Sequence, residues 1–490
     1  MSPLFTLGII VSYFCLLLLV SFMTSKKGES TAGFFLANRA SPWYIVAFGM
    51  IGTTLSGITF VSIPGMVEKT GFTYLQMVLG YVLGYVVIAL VLLPLYYRLR
   101  LVSIYTYLEQ RLGFWSYKTG SAFFLLSRTL SAALRLYLVA GVLQLAVFSP
   151  LGIPFAGTVG ITIAFIWVYT FRGGMKTIIW TDTLQTLAML LCLGISIWVV
   201  AEELDLSLLA LPQILGDSSY AHIWVTDPKA PNFFLKQLMA GMFITIAMTG
   251  LDQDMMQKNL SCRNLSEAQK NMFWFTVILV AVNVLFLCLG ALLYLYAAET
   301  GILLPTKGDD VFPELALQHF PAVAGVAFIL GITAITYASA DSALTSLTTA
   351  FCVDFLNFQH RPEAQRLRYK NWVHLGFSGL LMAVILLFRV YNDESIIATL
   401  FTLVGYTYGP LLGMYSFGLL TGRSVQDKVV PLLGVLSPVL TYVVSTNSVE
   451  WFWGYQFGFE VLLLNGLLMF LGLWLVSSRK PSTVPGVSPI

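Results

Sequence analysis

Phe48-Gly49-Met50-Ile51-Gly52-Thr53-Thr54-Leu55-Ser56-Gly57-Ile58-Thr59, and then Pro64-Gly65, lies inside a stretch apolar enough to cross a bilayer, yet it is unusually rich in glycine and hydroxyls for a helix facing lipid. Backbone that leaves the helix at membrane depth is tolerated only where protein buries it or where it lines a wet cavity. Carbonyls freed at such a break can coordinate a cation, while hydroxyls and half-helix ends face a solute. Small residues also serve close helix packing. Thr53, Thr54 and Thr59 beside the glycines favour the broken helix.

Working outward, the 490-residue chain is 57% hydrophobic and only 10% charged, and its mean hydropathy is +0.81. Soluble domains carry roughly a quarter charged residues, so this is a chain built for lipid. Runs long enough for a hydrocarbon core of about 30 Å recur along its whole length. We place spans near 4–24, 43–66, 72–97, 119–148, 152–171, 177–201, 236–257, 271–298, 320–352, 372–389, 395–421, 429–446 and 456–477. The expected fold class is an all-α polytopic membrane protein of about thirteen transmembrane helices. The first run has no basic residue before it and no small-residue cleavage site, so it reads as a retained helix. Cys15, Cys192, Cys262, Cys288 and Cys352 show no paired spacing for zinc or a disulfide framework.

Basic residues fix the orientation. With the N-terminus outside, the inward loops would hold 20 of the 27 lysines and arginines, the outward loops only Lys69, Lys229, Lys236, Lys307 and Arg389, and Arg128 and Arg135 would be buried. Basic loops stay cytoplasmic, which puts the N-terminus outside and the C-terminus in the cytoplasm of a plasma membrane, in a bacterium the inner membrane. The outward loops near 202–235 and 299–319 either fold over the mouth of the bundle or simply connect helices.

The seventh span, Gly241-Met242-Phe243-Ile244-Thr245 through Thr249-Gly250, is a weaker copy of the second and lies five helices further on. An odd-numbered repeat inserts its second copy upside down, so paired broken helices suggest inverted halves. The expected division is an extra helix and first cytoplasmic loop over 1–42, a five-helix repeat over 43–201, an extracellular loop over 202–235, a second repeat over 236–421, and two helices with a short tail over 422–490.

Ionisable groups inside spans are costly and usually functional. Arg128 and Arg135 are two helical turns apart and project from one face. Asp182 sits in the sixth span and Asp341 in the ninth, the latter beside Ser339, Ser342 and Thr345. Either the aspartates ligate sodium with those hydroxyls, or the two arginines and two aspartates form a structural ion-pair network. The hydroxyls favour sodium. Arg135 is suited to clamp an anionic solute. None of His222, His319, His360 and His374 is near a span centre, so a histidine proton relay is not expected. Asp252, Gln253, Asp254, Gln257 and Lys258 end the seventh span as a solvated helix end or as an inner gate. Gly80 and Gly84 read as helix packing.

The chain resembles the sodium:solute symporter family at Phe34-Phe35-Leu36-Ala37-Asn38-Arg39, Gly52 to Phe60, Pro64-Gly65, Gly173-Gly174 with Trp180-Thr181-Asp182, Asp252 to Lys258, and Ala338 to Asp354. The resemblance implies a LeuT-type five-plus-five inverted repeat with an extra N-terminal helix. It also implies a sodium site at the carbonyls of Gly52, Leu55, Ile335 and Ala338 and the Ser339 hydroxyl. Many members carry a serine or threonine where this chain has Ala338, so one side-chain ligand is missing. A second sodium site found in some members would fall on Asp182, Asp341 and Ser342. Sialic-acid carriers of the family hold a carboxylate with an arginine of the fourth span, and Arg135 stands about one turn from that place. The implied solute residues are Thr53, Thr54, Ser56, Thr59, Tyr74, Gln76, Arg135 and Thr245.

The expected function is therefore sodium-coupled import of a small, anionic organic solute such as a sugar acid, sialic acid or monocarboxylate. Its partners would be that solute, sodium as the coupling ion, and the lipid bilayer. No nucleic acid is implied and no oligomer is required. Proton coupling on the same fold and a transporter-like sensor are the alternatives. An enzyme is not expected, since neither H-E-x-x-H nor G-x-S-x-G occurs.

Overall fold

Every backbone N–H in hydrocarbon must find its acceptor within the protein, so the apolar runs close into helices. The computed structural model describes residues 3–24, 37–170, 175–356, 358, 361–391 and 396–481. Lys26, Lys27, Phe34-Phe35-Leu36, Arg172, Gly173-Gly174 and His360 lie outside the described residues.

The elements in chain order are α1 (Pro3–Thr24), α2 (Trp43–Thr54), α3 (Gly57–Thr70) and α4 (Tyr74–Val87), which continues through a π turn to Arg98. Next come the short α5 (Thr106–Arg111), α6 (Phe114–Leu143), α7 (Phe155–Thr170), α8 (Met175–Glu203) and α9 (Leu211–Asp217). The second half holds α10 (Phe234–Thr245), α11 (Gln253–Asn259), α12 (Leu265–Thr300), α13 (Gly308–Glu314), α14 (Ala322–Ala350), α15 (Glu363–Tyr391) and α16 (Ile396–Leu420). α17 (Val430–Thr446) and α18 (Val461–Leu475) follow.

Nine described helices are long and apolar enough to cross a membrane, or up to eleven when each bent pair is one span. That is short of thirteen because α7 and α18 have only 16 and 15 residues, against about 20 for a full crossing. The described residues are mostly helical, as expected, with one short pair of strands beside the helices. β1 (Arg423–Val425) pairs antiparallel with β2 (Ser477–Pro481), clasping the ends of α16 and α18 together.

Both anticipated breaks are present. α2 and α3 meet at 59° across Leu55 and Ser56. The seventh span runs through a π turn at Ile246–Gly250 and bends by 71° into α11. This second break falls at Leu251-Asp252, past the Thr249-Gly250 pair, because Asp252 caps the new helix by accepting from the N–H groups of Asp254 and Met255 (2.9 and 3.2 Å).

Glycines set the closest approaches. A Cβ at Gly80 would lie 2.2 Å from the Leu238 carbonyl oxygen, and one at Gly241 would lie 2.2 Å from that of Met77, so α4 and α10 meet backbone to backbone. Gly65 meets Gly308 of α13 in the same way, and Tyr294 Oη donates to the Gly65 carbonyl at 2.6 Å. The 202–235 loop is bonded to the bundle: Phe72 N–H reaches the Tyr220 and His222 carbonyls at 3.0 and 3.1 Å.

Candidate solute and ion site

At the first break the helical ladder is cut. Ser56 N–H, which would continue the helix onto the Gly52 carbonyl, donates instead to Thr54 O at 3.1 Å, and α3 starts with Phe60 N–H on Ser56 O. The Gly52 and Leu55 carbonyls therefore stand outside both ladders, and among the described residues no hydrogen bond to either is found. The second break is treated differently. Tyr96 and Tyr105 hydroxyls donate to the Gly250 and Leu251 carbonyls, each at 2.9 Å. Freed carbonyls are thus capped in the seventh span and left open in the second, where a hard cation would find oxygen donors.

Ile335, Ala338 and Ser339 lie on α14, which is unbroken here. Ser339 Oγ accepts from the Arg135 guanidinium at 2.9 Å, and the same nitrogen approaches the Thr53 carbonyl at 3.4 Å. The carbonyls of Gly52 and Leu55 and the Ser339 hydroxyl fit a sodium ion in donor type. Ile335 and Ala338 would have to lend carbonyls from within an intact helix.

Beside this region is a central cavity with about 720 Å³ of empty space including its mouth. Of the residues the resemblance assigns to a solute, Thr53, Thr54, Ser56, Thr59, Tyr74, Arg135 and Thr245 line it. Gln76 does not. Its amide donates to the carbonyls of Thr73 and Asn232 and accepts from Val225 N–H (3.1, 3.3 and 3.2 Å), fastening the 202–235 loop to α4. Lining residues that the sequence reading passed over include Tyr81, Tyr85, Asn283 and Phe401. The tyrosines were findable: Tyr74, Tyr81 and Tyr85 are seven and then four residues apart, one face of a helix, and the hydroxyls of Tyr74 and Tyr81 are 2.9 Å apart.

The buried charges pair otherwise than expected. Arg128 is ion-paired with Asp254 and lies 3.8 Å from Asp252 Oδ2, the same oxygen to which Tyr408 Oη donates at 2.6 Å. Asp182 is paired with Lys258 at 2.6 Å. A network confined to the two arginines with Asp182 and Asp341 is therefore replaced by two separate clusters, each including residues from the 252–258 end of the seventh span. That end is not solvated: Asp252, Gln253, Asp254, Gln257 and Lys258 are at most 1% exposed. Ser342 joins the Asp182 cluster, and Asp341, next to it, is fully buried with its Oδ1 accepting from Ser342 N–H.

A helical bundle with two broken spans, open carbonyls at one of them and a cavity alongside that mixes hydroxyls and arginine with apolar side chains is the architecture of a membrane carrier. The sodium:solute symporter family model matches residues 34–422. The chain belongs to the sodium:solute symporter family. The sodium/sialic acid symporter NanT of Aliivibrio fischeri is 25% identical over 476 residues, 93% of this chain and 91% of the relative. The sodium/sialic acid symporter SiaT of Proteus mirabilis is 25% identical over 464 residues, 88% of each chain. The solved structure of a Na+-coupled sialic acid symporter, substrate-bound and outward-open, superposes with a TM-score of 0.82 at 18% identity, covering 99% of this chain and 98% of that one. Family and relatives together support sodium-coupled symport of a small-molecule solute.

Proposed function

We propose that the protein is a sodium-driven symporter of a small organic anion and that Arg135 joins the two binding events. The observation that carries this reading is the position of one guanidinium, which lines the cavity while donating to Ser339 Oγ. Sodium at Gly52, Leu55 and Ser339 supplies a competing positive charge. Arg135 then loses its acceptor at Ser339 and turns its donors to the cavity, where a carboxylate offers bidentate acceptors. Thr54, Ser56, Thr59, Tyr74 and Thr245 supply hydroxyls around the remainder of the solute. The anion in turn holds the guanidinium off Ser339, so each ligand favours the other, as reciprocal coupling requires. The sodium/sialic acid relatives, at 25% identity, support an acidic sugar as the first solute to try.

The experiment is a thermal-stability screen of purified protein against N-acetylneuraminate, pyruvate, lactate and neutral sugars, each with sodium and with choline. Stabilisation by an anion that needs sodium is expected. Stabilisation by neutral sugars alone would overturn the anion, and anion stabilisation equal in choline would overturn the coupling.

The same reading carries the membrane arrangement. α7 and α18 would cross as short spans, bringing eleven to thirteen, with the N-terminus outside and the C-terminus in the cytoplasm of a bacterial inner membrane. The halves over 43–201 and 236–421 would be the inverted repeats, in keeping with one bent span near the start of each.

A further inference from the structure

Lys258 stands where the resemblance would put a second coupling ion. Its ammonium donates to Asp182 Oδ2 at 2.6 Å, to Ser342 Oγ at 2.8 Å and to Thr53 Oγ1. Thr53 Oγ1 also reaches Asp182 Oδ2, at 3.1 Å. Lysine has three N–H donors and no acceptor, and here three oxygens from three helices, α2, α8 and α14, take them all. All four residues are at most 1% exposed. The bend of the seventh span makes this possible, because α11 turns by 71° and carries Lys258 back into the bundle.

Asp182 and Ser342 are therefore already engaged by a cation that cannot leave. A sodium ion at the same oxygens would have to share one carboxylate with an ammonium in contact with it, and like charges so close in a poorly solvated interior repel strongly. The donor set fits a fixed ammonium and does not fit an additional mobile ion.

We propose that Lys258 is a tethered cation replacing the second sodium, so that this carrier binds one sodium ion per molecule. The inference rests on the reading of a sodium site at Gly52, Leu55 and Ser339, which supplies that one ion. A lysine serving only as a structural ion pair would leave the ion count unchanged when replaced. A tethered ion, when removed, would leave a carboxylate and two hydroxyls that a free sodium can enter.

The test counts sodium directly, by equilibrium binding of radioactive sodium to the purified full-length protein, without solute. Wild type is expected to bind one ion per molecule. Lys258→Ala is expected to bind two, and Lys258→Ala with Asp182→Asn to return to one. Lys258→Gln, neutral and nearly as long, is the second variant should the alanine form fail to fold, and it too should exceed one. Two ions in wild type would overturn the proposal, as would a folded Lys258→Ala or Lys258→Gln that still binds one. No ion in wild type would overturn the sodium reading itself and this inference with it, a failure visible before any lysine is changed.

Discussion

Arg135 and Arg128 share a face of α6 and both line the cavity, yet their partners differ. Arg135 donates to a hydroxyl and approaches a carbonyl beside the cavity. Arg135→Gln should weaken solute binding about 10- to 100-fold, the value of a charge-assisted hydrogen bond of about 1.5–3 kcal/mol. The same variant should tighten sodium binding in the absence of solute, because the competing charge is gone. Isothermal titration of both ligands checks the pair of outcomes, and unchanged sodium affinity would count against the competition. Ser339→Ala should weaken sodium binding and leave the fold intact. Arg128 is instead buried against Asp252 and Asp254, so Arg128→Met should cost about 3–5 kcal/mol by leaving buried carboxylates without their cation, read as a large fall in unfolding temperature. The sequence indicated that four charges lay inside spans, because charge in an apolar run is conspicuous. It could not disclose their partners. Lys258 reads, with Asp252, Gln253, Asp254 and Gln257, as a solvated helix end or an inner gate, and only the bend reveals that the segment turns into the bundle.

At the scale of elements, glycine and hydroxyl content located the second span's break, and the matching glycines of the seventh span pointed to a second. The second lies further along than its glycines suggest, because an aspartate able to cap a new helix decides where that helix starts. Gly241 was read as part of a break and turns out to be packing, the counterpart of Gly80 and Gly84 across the seam between α4 and α10. Gly80→Val places a branched side chain where a Cβ alone would sit 2.2 Å from the Leu238 carbonyl oxygen. An overpacking cost of about 1–3 kcal/mol is expected, measurable as a lower melting temperature. By contrast, no heavy atom lies within 4 Å of a Cβ added at Gly194, so Gly194→Ala should be tolerated.

For the molecule as a whole, composition alone established the membrane class, and the recurrence of apolar runs established its many spans. The number that crosses was less legible because α7 and α18 are apolar but short, and a hydropathy window cannot distinguish a short crossing from a helix that stops within the bilayer. Orientation is open to a simple check. Leu209 and Leu303 are each 95% exposed and lie in the loops assigned to the outside. In a cysteine-free background, Leu209→Cys and Leu303→Cys should react with a membrane-impermeant maleimide added to intact cells, and protection of both until the cells are opened would reverse the orientation.

The seam between α4 and α10 has a mechanical consequence. Side chains can swap rotamers and let neighbouring helices slip, whereas two backbones in contact have nothing that can yield. α4 comes from the first half of the chain and α10 from the second, so the seam acts as a weld joining the halves. Rocking between sequence halves taken as intact blocks is then disfavoured. Bending at Leu251-Asp252, next to α10, and at Leu55-Ser56, one helix before α4, would leave the seam intact, so those two dipeptides are where relative movement is expected.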